Sequence, residues 1–126
     1  MKFDLPMPII NKGGCNFSFA GLKTAILRIS KNIKSEQDKF DIAASFQNVV
    51  EKIIYKKTQF AFKKYLEINK KNKNFVVAGG VAANKNIRKT IEEVSSKNNF
   101  KVFFPVQDLC GDNAAMIAMV GLEKFK

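Results

Sequence analysis

From Phe40 to Ile68 the apolar residues Ala43, Ala44, Phe46, Val50, Ile53, Ile54, Ala61 and Tyr65 recur at helical spacing, and nothing else in the chain limits the fold so strongly. The run predicts one long helix ending near Asn69, against which any core has to be laid. Its start is marked by Ser35 and Asp38, the spacing of a capping pair in which each side chain accepts from the other residue's amide.

The flanking segments are short and change period. Pro6, Pro8 and the Gly13-Gly14 pair make the opening an extended, turning stretch. Cys15-Asn16-Phe17-Ser18-Phe19 alternates as a strand does, and Gly21 hands over to a short helix with Leu22, Ile26, Ile29 and Ile33 on one side. Phe75, Val76 and Val77 suit a buried strand, followed by Gly79-Gly80 and a helix carrying Ile87, Ile91 and Val94. Lys101–Phe104 reads as a third strand closed by Pro105, and Ala114, Ile117, Ala118 and Leu122 mark a last helix. Alternating strands and helices predict an α/β fold. The expected sheet is small, mixed or parallel, with strands near 16–20, 75–79 and 101–104 and helices near 40–68, 86–97 and 113–124. Residues 1–126 make one domain's worth of chain, yet so small a sheet is expected to be part of a larger domain.

Charge bears on partners. The chain has 22 basic and 11 acidic residues, +11 in all, and 20 of the basic residues are Lys. That balance favours a polyanionic partner; a compositional bias explains it equally well, since the lysines are spread along the chain instead of gathered on one patch. The lysine doublets at 56–57, 63–64 and 70–71 are expected on the solvent side of the long helix. No apolar run reaches the roughly 18 residues that a membrane span needs, and MKFDLPMPII has neither a basic leader region nor a small-residue cleavage site, so a cytoplasmic protein is expected. Cys15 and Cys110 are then reduced thiols rather than a bridge.

Two loops carry candidate chemistry. Gly79 and Gly80 sit between a strand and a helix, where a phosphate or carboxylate can rest on amides at the helix start. A tight turn with no ligand is the other reading, and the chain has neither G-x-G-x-x-G nor G-K-[ST]. In the second loop, Asp112 suits the N-cap of the last helix or, with companions, a metal ligand. There is no His in the chain, so histidine triads are excluded and any metal site is incomplete. Without an imidazole to activate it, Cys110 is expected to pack as a small hydrophobe.

Three stretches taken together, FSFAGLKTA (17–25), AGGVAANKNIR (78–88) and CGDNAAMIA (110–118), resemble the carboxy-terminal part of the tRNA N6-adenosine threonylcarbamoyltransferase family, formerly called O-sialoglycoprotein endopeptidases or glycoproteases. The resemblance runs over nearly the whole chain and in the same order. It implies a partial actin-like ATPase fold, of the sugar-kinase and heat-shock-ATPase type. It also implies part of an enzyme that moves a threonylcarbamoyl group from an adenylate onto N6 of the adenosine beside the tRNA anticodon. By the same resemblance Asn84, with Gly79 and Gly80, contacts the nucleotide-like substrate, and Asp112 is one ligand of a divalent metal, iron or zinc. Gly111, Ala83 and Ala114 depart from the usual residues of these motifs. The family's paired histidines of H-x-x-x-H are absent, so the chain alone is expected to bind no metal and to be inactive. tRNA, threonylcarbamoyl-adenylate and partner subunits of the modification complex are the implied partners, and self-association as a homodimer is expected of a partial domain. A reading of a different class is a non-catalytic basic module that binds tRNA or a partner subunit.

Overall fold

The computed structural model describes residues 3–69 and 71–125. The chain divides into two compact units, Met1–Asn72 and Lys73–Lys126.

The first unit is two helices and the irregular segment that precedes them. Helix α1 is Ala20–Ser30 and helix α2 is Glu36–Ile68, 33 residues without a break. The α2 start is the expected capping box: Ser35 Oγ accepts from the Asp38 amide at 3.1 Å, and Asp38 Oδ2 accepts from the Ser35 amide at 3.2 Å. Two otherwise orphaned amides are thereby satisfied. The core of this unit gathers Leu5 from the proline-rich opening, Leu22 from α1, and Val49 and Ile53 from α2, with Ile10, Ala25, Ile26, Ile29 and Val50 packed around it. Burying a side chain of this size is worth about 1.5–3 kcal/mol, which is what holds an opening without secondary structure of its own in place.

Two expectations fail in this unit. Residues 15–19 are not a strand; Phe19 is the N-cap residue of α1, and the rings of Phe17 and Phe19 stack at 6.1 Å. The period-two pattern there sets two phenyl rings on the same side, but a strand exists only where a neighbour accepts its ladder bonds, and among the described residues none pairs with this one. The lysine doublets do not all face solvent either, and Lys70 of the third lies outside the described residues. Lys57 is only 3% exposed, and its Nζ donates to the Lys12 carbonyl at 2.9 Å and the Gly14 carbonyl at 3.1 Å. The buried ammonium thus clamps the glycine turn onto α2 through charge-assisted bonds, the stronger sort of hydrogen bond.

The second unit is a β–α–β crossover followed by a helix. Strand β1 (Asn74–Val76) pairs in parallel with β2 (Lys101–Phe103), Phe75 opposite Val102, and helix α3 (Lys85–Lys97) joins them. This is the α/β arrangement expected, with two strands where three were predicted. Ile87, Ile91, Val94 and Ser95 form the buried face of α3. Its end closes as a Schellman turn: the Asn99 amide donates to Ser96 O at 3.1 Å and the Phe100 amide to Ser95 O at 2.9 Å, with Asn99 at φ 58° and Phe100 buried. Asparagine holds a left-handed position that glycine usually fills. Helix α4 (Ala114–Lys124) has no buried residue; Met116, Ile117, Met119, Val120 and Leu122 are all exposed. Among the described residues no helix is long and apolar enough to cross a membrane.

Candidate functional site

Both loops singled out in the sequence lie in the second unit. After β1 the chain passes Gly79, turns through a short 3₁₀ segment (Gly80–Ala83), and enters α3 at Asn84. Gly79 has φ 99° and ψ 164°, a region that only glycine occupies without strain. Gly80 does not share that constraint, and a Cβ built at either position meets nothing within 4 Å. The two glycines are therefore unequal. Gly79→Ala is expected to lower stability by about 1–3 kcal/mol through backbone strain alone, with Gly80→Ala near neutral, as thermal unfolding of the two variants will read.

Asn84 is the N-cap of α3. Its Oδ1 accepts from the Asn86 amide at 3.0 Å and the Ile87 amide at 3.1 Å. The acceptor side of the carboxamide is thus committed to the helix, which fixes the side chain at the exposed mouth of the glycine turn. The second loop runs from Pro105 through a 3₁₀ turn (Gln107–Leu109) to Asn113. Here the cap assignment needs correction. Asn113, not Asp112, caps α4: its Oδ1 accepts from the Met116 amide at 3.0 Å, and its Nδ2 donates to Gly111 O at 3.0 Å. Asp112 stands one residue too early to reach the first helical amides, and among the described residues it has no hydrogen-bond or ion-pair partner. Its carboxylate is exposed.

Arg88, on the first turn of α3, joins the loops. Its Nε donates to the Ala82 carbonyl inside the glycine turn, while Nη2 donates to the Pro105 carbonyl at 2.9 Å and to Cys110 Sγ at 3.0 Å. The guanidinium carbon lies 4.8 Å from the centre of the Phe104 ring. Arg88 stands within the AGGVAANKNIR stretch, where the sequence alone assigns it no role. The available signal was compositional, since it is one of two arginines among 22 basic residues. Cys110 is 3% exposed and both cysteines are free, so its place as a small buried residue stands.

Among the described residues no three of His, Cys, Asp or Glu cluster so as to hold an ion, so the residues present do not by themselves fit one.

Both loops follow the carboxyl ends of the parallel strands, where a glycine turn that opens onto an asparagine-capped helix is tied to a second loop with an exposed carboxylate. The chain belongs to the tRNA N6-adenosine threonylcarbamoyltransferase family, whose model matches residues 1–119. It is 62% identical over 126 residues to the protein of that name from Pelagibacter ubique (strain HTCC1062), covering 99% of this chain and 35% of that one. Against the protein of that name from Rickettsia rickettsii (strain Sheila Smith) it is 45% identical over 128 residues, covering 98% and 37%. The chain spans about a third of the length of these relatives.

Proposed function

We propose that this chain is the carboxy-terminal segment of a tRNA threonylcarbamoyltransferase, supplying part of a site that other polypeptide completes. In the complete enzyme, threonylcarbamoyl-adenylate is the donor and N6 of the adenosine beside the tRNA anticodon the acceptor. Gly79, Gly80 and Asn84 seat the nucleotide part of the donor. Asp112 contributes one ligand to a divalent metal, iron or zinc, whose remaining ligands are histidines outside these residues. The observation that carries the reading is that the glycine–asparagine loop and the Cys110–Asn113 loop, far apart in sequence, share the partners of a single guanidinium. Asp112 is exposed and, among the described residues, unengaged, so it is available to a ligand. The cytoplasm, where tRNA is found, is the proposed compartment.

The chain alone is expected to give no incorporation of radiolabelled threonine into unmodified tRNA. Adding the amino-terminal portion of the Pelagibacter relative, taken from the part of that protein that this chain does not match, is expected to restore it. Robust incorporation by these 126 residues alone would refute the reading. The +11 charge favours a second reading, a non-catalytic basic module for tRNA or a partner subunit; it predicts tRNA binding without transfer even when that portion is supplied. Without that portion, the exposed apolar surface of α4 favours self-association as a homodimer, and sedimentation as a monodisperse monomer at high concentration would count against this.

A further inference from the structure

We infer that Arg88 is the positioning residue that sets the separation between the glycine–asparagine loop and the aspartate-bearing loop. The inference rests on the functional reading above only for what the loops bind; the coupling itself comes from geometry. Three acceptors converge on one planar group: the Ala82 carbonyl two residues before Asn84, the Pro105 carbonyl, and the sulfur of Cys110 two residues before Asp112. Nε and Nη2 are held in one rigid fork, so fixing either carbonyl fixes the other. The Phe104 ring lies against the fork, which restrains its plane. From Cys110 the order passes to the helix start, because Asn113 Nδ2 holds Gly111 O while its Oδ1 caps α4. Asp112 is thereby flanked by two fixed residues and itself left unengaged.

Lysine cannot substitute. An ammonium can meet two carbonyls, as Lys57 does, but as a single point on a flexible stem it cannot hold them in one plane while lying flat against a ring. This chain uses lysine at 20 of its 22 basic positions, yet has arginine at the one where a fork joins two loops; Arg28, its other arginine, lies exposed on α1.

The test uses the full 126-residue chain and two variants, Arg88→Lys and Arg88→Ala, the latter with and without methylguanidinium. Amide hydrogen exchange is expected to rise about tenfold in residues 79–84 and 106–113 together in both variants, with the amides of α3 from Ile91 onward unchanged. Methylguanidinium, but not methylammonium, should return both segments of Arg88→Ala to wild-type exchange. In the pair formed with the relative's amino-terminal portion, Arg88→Lys should lower kcat about tenfold with KM for tRNA unchanged. Faster exchange in one loop only, in neither, or throughout α3 would overturn the inference, since Arg88 would then be a local bond or a general prop. An inactive wild-type pair would sink the functional reading and leave the exchange result to decide this one.

Discussion

Asp112→Ala is expected to lower threonylcarbamoyl transfer by the pair formed with the relative's amino-terminal portion by at least about 100-fold, while leaving the thermal unfolding of the chain unchanged. The two halves of this prediction have separate causes. The Asp112 carboxylate is exposed and caps nothing, so its loss removes no intramolecular bond. Its neighbour is expected to behave the opposite way. Asn113→Ala removes the acceptor that meets the Met116 amide and should cost about 1 kcal/mol of stability. Radiolabelled threonine incorporation and calorimetry on both variants check the pair of results. If Asp112→Ala unfolds the chain while transfer per folded molecule stays intact, the aspartate is structural and the reading of the site fails.

Ile53→Ala is expected to cost about 3 kcal/mol, the largest stability effect among the substitutions considered. Ile53 is fully buried at the centre of the cluster with Leu5, Leu22 and Val49. That cluster holds Leu5 of the irregular opening and α1 to α2, beside the Lys57 clamp on the glycine turn. Native domains are stable by only about 5–15 kcal/mol, so the loss is a large part of the total. Circular dichroism during urea unfolding reads it; a midpoint unchanged from wild type would mean that this cluster does not limit the stability of its unit.

What the sequence made legible was local. The length of α2, its capping box and the α3 face all depend on residues within one or two turns, and periodicity reports those directly. Gly79 was legible for the same reason, since its backbone conformation is a property of one residue. Most of the failures involve a partner distant in sequence. Phe17 and Phe19 alternate correctly but lack a strand to pair with, and Lys57 looks like every other lysine until the carbonyls of Lys12 and Gly14 are placed beside it. The shift of the cap from Asp112 to Asn113 is a different failure. Both residue types cap helices well, and only the observed first turn decides between adjacent candidates. Arg88 stayed hidden because its partners are 6, 17 and 22 residues away.

The uncovered apolar helix α4 and the surplus of 11 positive charges pull against each other in solution. At low ionic strength like-charge repulsion opposes the approach of two such faces. Salt removes that protection, because screening shortens the reach of the charges to about 10 Å at 0.1 M, and sulfate or phosphate further strengthens the tendency of exposed Met116, Ile117, Val120 and Leu122 to leave water. Both changes act in one direction, so association through α4 is expected to strengthen as salt is raised, and most of all with a kosmotropic anion.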